Sequence, residues 1–240
     1  MSRIELVCFH HAGGGAATFH PLRRALVAVG AEAALTTVTL PGRDSRFGEP
    51  RYADADACVR GIADELEDVL SGPHVLLGYS MGAILAYSIS RQRLSRGLRA
   101  PEAVIVAAYS APGVSGPMDD LDLDDDDALI GELVRHGGIP DEILSRREWL
   151  ELLIPIVRDD LRICQSYHPA ADPPLPCPLY VFGGLDDPLA PPETLAGWSA
   201  HSLQPQPVRM FAGDHFLFRE PDPELVREIA RIVESVGTGE

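Results

Sequence analysis

A chain of 240 residues with 45% apolar side chains is long enough to bury one sizeable core or two small ones. Its formal net charge of −16 argues against a nucleic-acid binder, whose affinity comes from neutralising phosphates. All 20 basic residues are arginine, which excludes lysine Schiff bases, Ser–Lys dyads and a P-loop lysine.

The chain opens on Ile4–Phe9, a strand-length apolar run. It leads into His10-His11-Ala12-Gly13-Gly14-Gly15. As a dinucleotide fingerprint this loop fails, because the spacing is not G-x-G-x-x-G and the second strand ends without an acid for a ribose. As an oxyanion loop it brings the Ala12 N–H toward an acyl oxygen. His10 and His11 are neighbours that project in different directions, so a shared metal is not expected. Both are read as orienting or packing the loop, and His11 is also a candidate for contact with substrate.

Phe19–Val29 is expected to be a helix, and Leu35–Leu40 a strand closed by Pro41-Gly42. Ala55–Leu70 places Val59, Ile62, Ala63, Leu66, Val69 and Leu70 at helical spacing. Val75–Leu77 is a buried strand, and Ala83–Arg93 a helix. Between them stands Gly78-Tyr79-Ser80-Met81-Gly82, a G-x-S-x-G pattern in the strand–turn–helix context of a nucleophile elbow. The turn is so tight that the positions two before and two after the serine must lack bulk, and both are glycine. Ser80 is the expected nucleophile. The Met81 N–H, at the new helix's start, is the second oxyanion donor. Tyr79 is a candidate substrate contact.

Ala103–Ala108 is the next strand. The stretch from about 111 to 169 breaks the rhythm with an acidic run and the helical patterns Ala128–Arg135, Pro140–Leu144 and Trp149–Tyr167. Asp124–Asp127 reads as a solvated, helix-starting face, since the D-x-D-x-D-G spacing of a calcium loop is missing. The stretch as a whole is expected to be a helical lid.

Strands Leu179–Phe182 and Val208–Phe211 and the helix Glu224–Val236 complete the chain. A triad on this pattern runs serine, acid, histidine. The first of these strands is followed by Asp186 and Asp187, either of which could be the acid, and the second by His215, the base. His201 ends a helical stretch, and Asp214 is too close in sequence to His215 to reach its Nδ1. The fold expected is α/β, one domain over 1–240: an α/β-hydrolase with a mostly parallel sheet, helices on both faces and the lid.

Cys8, Cys58, Cys164 and Cys177 form no C-x-x-C pair and read as reduced, mostly buried thiols of a cytoplasmic protein. The N-terminal run is too short for a signal peptide, and no run reaches membrane-spanning length.

Several motifs together resemble the type II thioesterases that accompany polyketide and nonribosomal peptide synthetases. Phe9-His-His-Ala-Gly-Gly is similar to that family's F-x-H-A-G-G loop, and Leu40-Pro-Gly-Arg-Asp-Ser-Arg-Phe-Gly-Glu-Pro50 to its P-G-R-x-x-R-x-x-E-P segment. Asp159-Asp-Leu-Arg-Ile-Cys-Gln-Ser-Tyr167 resembles its D-x-R-x-x-x-x-Y helix. Gly183-Gly-Leu-Asp-Asp-Pro188 resembles its acid loop and favours Asp187, and Gly213-Asp-His-Phe-Leu-Phe218 again selects His215. Tyr79 stands where the family usually has His, and the loop from Ser110 lacks the basic and aromatic residues expected there.

The resemblance implies hydrolysis of acyl thioesters from the phosphopantetheine arm of an acyl or peptidyl carrier protein, met transiently by a monomer. No metal or organic cofactor is implied, since the arm arrives with the substrate. Carrier proteins are usually acidic, so docking needs a local positive patch, for which Arg91, Arg93, Arg96 and Arg99 are candidates by density. The other readings are an esterase on free esters, a triad retained for cyclisation or acyl transfer, and a non-catalytic binding module.

Overall fold

Strands form where runs rich in Val, Ile, Leu and Ala are bounded by turn residues, because such side chains pack well on a pleated surface. They are β1 (Glu5–Phe9), β2 (Ala34–Thr37), β3 (His74–Tyr79), β4 (Ala103–Ala107), β5 (Leu175–Gly184), β6 (Ser202–Pro205) and β7 (Arg209–Phe211). The helices are α1 (His20–Ala28), α2 (Ala55–Glu65), α3 (Glu67–Leu70), α4 (Met81–Ser95), α5 (Asp126–Arg135), α6 (Asp141–Leu144), α7 (Arg147–Ser166), α8 (Pro192–Leu195) and α9 (Pro223–Gly237). The computed structural model describes residues 4–31, 33–169 and 173–237.

The strands make one sheet in the order β2-β1-β3-β4-β5-β6, with β7 also paired to β5, and every ladder among the described residues is parallel. Alternate residues feed opposite faces, as the pleat requires. Val7, Phe9 and Leu76 point into a core shared with α2 and α4, whereas Leu6, Cys8, Val75 and Leu77 point into one shared with α1 and α9. Helices therefore cover both faces, and β3 is buried along its whole length. The chain leaves β1 for β2 on one side and reaches β3 on the other. The carboxyl end of the sheet at this reversal is where an open parallel sheet leaves a crevice.

The sequence patterns located most elements to within a few residues, with three differences. The expected helix Ala55–Leu70 breaks at Leu66, whose φ of −91° and ψ of 3° end α2 before α3 begins. β5 starts earlier than Leu179, because Pro176 and Pro178 are tolerated where the ladder to β6 is irregular. β6 has no apolar alternation to reveal it: it is an edge strand whose Leu203 is exposed.

Between β4 and β5 the helices α5, α6 and α7 pack on one another around Leu129, Ile139, Ile154 and Val157, a cluster separate from the two sheet cores. The acidic run starts α5 as expected. Asp125 caps it by accepting from the Asp127 and Ala128 N–H groups, while Asp124 and Asp126 pair with Arg162 and Arg158 of α7. Among the described residues, no helix is long and apolar enough to cross a membrane.

The arginines after the elbow do not form an open basic patch. Arg93 is buried and ties α4 to Glu67 and to the Leu70 and Arg99 carbonyls. Arg96 pairs with Asp64, Arg99 with Glu102, and Arg91 donates to the Tyr87 hydroxyl. Arg93 and Arg96 brace the far end of α4 against Glu67 and Asp64.

Candidate active site

The elbow is shaped by what its neighbours leave no room for. A Cβ on Gly78 would lie 2.2 Å from the Gly82 carbonyl oxygen, and one on Gly82 would lie 2.1 Å from that of Phe9. Ser80, between β3 and α4, has a φ of 53° and ψ of −123°, a left-handed backbone that costs a residue with a side chain about 1–3 kcal/mol. The surroundings hold it there: its N–H donates to the Ala107 carbonyl at 2.8 Å, and α4 behind it is buried nearly all round. The strain projects the hydroxyl above the carboxyl edge of the sheet.

His215, in the turn after β7, approaches that hydroxyl with Nε2 at 3.0 Å from Ser80 Oγ. Its Nδ1 lies 2.9 Å from Asp187 Oδ2. The other Asp187 oxygen accepts the Leu189 N–H at 2.8 Å, so both oxygens are engaged and the carboxylate is fixed in direction. The Asp187 side chain is wholly buried, while Asp186 is exposed. Asp214 is exposed as well, and its carboxylate caps the Phe216 N–H at 2.7 Å. His201 stands elsewhere, edge-on against Trp198 and hydrogen-bonded with the Tyr87 hydroxyl.

Ala12 and Met81 border the same cavity as Ser80 and His215. Met81 is the first residue of α4, where helix geometry leaves an N–H without an intrahelical acceptor. The Ala12 N–H has no acceptor among the described residues. His11 also borders the cavity, its ring 5.1 Å from Tyr79 and 5.5 Å from Phe216. Desolvation, helped by the nearby His10 and His215, pushes His11 down to about 3, so it is neutral in ordinary buffers. Burial and the Arg43 cation lower His10 too, and a neutral His10 donates from Nδ1 to the His11 carbonyl at 2.8 Å.

Tyr79 is not placed for the substrate contact expected from its position in the elbow. The strand alternates sides, so its ring turns away from the cavity into the core against Phe19 and Phe218, and it is 1% exposed. Its hydroxyl donates to the His215 carbonyl at 2.8 Å. Tyr79 thus holds the backbone of the histidine turn from behind.

The cavity, of about 360 Å³, is lined by His11, Ala12 and Gly13 of the loop after β1, by Ser80 and Met81 of the elbow, and by Leu133, Leu153, Val157 and Leu161 of the inserted helices. Tyr109 and the loop from Ser110 to Pro117 also line it. Leu133, Leu153, Val157 and Leu161 were not singled out in the sequence, because apolar side chains in a helical pattern read as core. Among the described residues, no group of three or more His, Cys, Asp or Glu could hold a metal ion.

A family model described as "Thioesterase domain" matches residues 4–235. A probable cadicidin biosynthesis thioesterase of Streptomyces griseus is 33% identical over 228 residues, 95% of this chain and 62% of that protein. The gramicidin S biosynthesis protein GrsT of Aneurinibacillus migulanus is 29% identical over 94% of this chain and 87% of its own length. Among solved structures, the RedJ thioesterase from the prodiginine pathway of Streptomyces coelicolor superposes with a TM-score of 0.87 at 31% identity, covering 95% of this chain and 90% of that one. The strained serine at the end of β3 is thus set in a chain that belongs to the thioesterase family, whose type II members in polyketide and nonribosomal peptide pathways are among its relatives.

Proposed function

We propose that this chain hydrolyses acyl groups from the phosphopantetheine thiol of a carrier protein, with Ser80, His215 and Asp187 as its triad. The observation that carries the reading is the relay from Asp187 Oδ2 through His215 to Ser80 Oγ, with steps of 2.9 Å and 3.0 Å, at the wall of a largely apolar cavity. Similarity to a gramicidin S biosynthesis protein and to YbtT, a type II thioesterase of the yersiniabactin NRPS/PKS pathway, supports the substrate class.

His215 Nε2 takes the Ser80 proton as Oγ bonds to the thioester carbonyl carbon. The carbonyl oxygen becomes an oxyanion between the Ala12 and Met81 N–H groups. Collapse breaks the carbon–sulfur bond, and the imidazolium returns its proton to the departing pantetheine sulfur. Water then attacks the acyl-serine with His215 again as base, releasing the free acid and restoring Ser80. Asp187 keeps Nδ1 protonated throughout, so that Nε2 is the free base.

His11 lies against the reacting end of the cavity as an uncharged substrate contact. The segment from about 111 to 169 acts as a lid on a single domain that spans the chain. The enzyme works as a cytoplasmic monomer that meets its carrier transiently and draws on no cofactor of its own. Turnover of an acyl-carrier protein, an acyl-CoA and a p-nitrophenyl ester tests the reading, with Ser80→Ala as control. Ser80→Ala is expected to lose turnover and labelling by a fluorophosphonate, and the acyl-carrier to be the preferred substrate. A clear preference for the free ester would make the chain an esterase, and labelling retained in Ser80→Ala would remove the nucleophile assignment.

A further inference from the structure

The turn Pro41-Gly42-Arg43 and the middle of α7 lie far apart in sequence, and neither supplies a reacting group. They meet in the fold. Arg43 Nη1 is 2.6 Å from Asp160 Oδ2 and Nη2 is 2.7 Å from Oδ1, a two-pronged ion pair whose side chains are only 6% and 1% exposed. The same groups also grip the loop after β1. Asp160 Oδ2 accepts the Gly13 N–H at 2.8 Å, and Arg43 Nη1 donates to the Gly14 carbonyl at 3.0 Å. One residue on, Asp44 accepts the Ala16 N–H at 2.8 Å. Gly13 has a φ of +77°, and a Cβ there would lie 2.6 Å from Val157 of α7, so helix and loop are pressed together at this point.

A buried ion pair is a poor device for stability alone, because an apolar pair of similar volume serves as well or better. An apolar pair offers no acceptor to Gly13 and no donor to Gly14, whereas the guanidinium fork and the carboxylate fix both in direction. Oxyanion donors act through being held in place beforehand. Arg43 and Asp160 do not border the cavity, so any influence they have on the reaction passes through the loop.

We infer that Arg43 and Asp160 are positioning residues for the oxyanion loop, holding the Ala12 N–H in place through the Gly13 N–H and the Gly14 carbonyl. The inference rests on Ala12 being an oxyanion donor, as proposed above. It joins two otherwise separate motifs in one task and makes the seating of α7 a condition for a working site.

The test is the double variant Arg43→Met/Asp160→Leu, which removes both charges together and leaves neither unpaired. It loses the Gly13 and Gly14 hydrogen bonds together with the charges, so its urea midpoint is expected to fall only modestly and the chain to stay folded. Its kcat on an acyl-N-acetylcysteamine thioester is expected to fall about 10²-fold, with KM changed by less than about two-fold. Labelling of Ser80 by a fluorophosphonate, whose phosphoryl oxygen uses the same donors, is expected to slow in parallel. Arg43→Lys keeps the charge but loses the fork. Its kcat is expected to drop about tenfold, which decides the matter if the double variant does not fold. Turnover and labelling at unaltered rates in either folded variant would overturn the inference, since a merely structural pair predicts that outcome. An unaltered chain that labels but cleaves no thioester refutes the thioesterase reading, and the labelling rates of the variants then decide this one.

Discussion

The two adjacent acids after β5 give the sharpest test of the proposed triad. In Asp187→Asn the shape is kept, and the Leu189 N–H still needs an acceptor at the position of Oδ1, where it is bound at 2.8 Å. That bond fixes the amide, so the NH2 replaces Oδ2 and faces His215 Nδ1 across 2.9 Å. Two donors cannot face each other, so the ring moves its proton to Nε2. Nε2 lies 3.0 Å from Ser80 Oγ and can then no longer accept the serine proton. Loss of the productive tautomer in such a triad lowers kcat about 10⁴-fold, some 5.5 kcal/mol of transition-state stabilisation. Asp186→Asn alters only an exposed carboxylate and is expected to stay within about two-fold. The assay is steady-state hydrolysis of an acyl thioester by both variants, with circular dichroism to show that each is folded. An Asp187→Asn enzyme within tenfold of the unaltered chain, or an Asp186→Asn enzyme with the larger loss, refutes the reasoning.

Other substitutions and conditions probe the surroundings of the triad. Tyr79→Phe leaves the buried His215 carbonyl without its donor at 2.8 Å, so urea unfolding should show a loss of about 1–3 kcal/mol. Turnover should fall through kcat with KM little changed, and an unchanged midpoint would show that the hydroxyl holds nothing. His11 is held down to about 3 by burial, so the folded chain takes up no proton there where the unfolded chain, near 6.5, does. Its stabilising contribution is therefore present above about pH 6.5 and lost as pH falls toward 3, at about 1.4 kcal/mol per pH unit. The acid limb of stability against pH should be shallower by that amount in His11→Asn, and coincident limbs would contradict the environment described. Burial pushes the Cys58 and Cys164 thiols up to about 12, Cys177 to about 11 and Cys8 higher still. Iodoacetamide at pH 8 should modify none of them in the native protein and all of them in denaturant, as read by intact mass. Cys164 is the most exacting case, because it borders the cavity.

Local chemistry made a large part of this protein legible before its structure. Gly78 and Gly82 announce the elbow because contacts at 2.2 Å and 2.1 Å tolerate no Cβ, a constraint written in residue type at fixed spacing. The strands and helices announce themselves by periodicity, and the order of Ser80, the acids and His215 follows from which strand each residue ends. The break at Leu66 escaped because the helical spacing of apolar residues runs straight through it, and the edge strand β6 because it carries no apolar alternation. What no pattern along the chain could supply was direction and distant company. Adjacent Asp186 and Asp187 are chemically identical; the acid-loop resemblance favoured Asp187, and it is the packing that buries it against His215 and leaves Asp186 in water. Tyr79 adjoins the serine in sequence, yet strand alternation turns it into the core. Arg43 and Asp160 are 117 residues apart, and the guanidinium finds its carboxylate only once α7 has folded over the loop after β1. Residue type and spacing determined which chemistry this chain could hold. The tertiary structure decided which groups face one another, because burial and hydrogen-bond direction arise only when separate elements pack together.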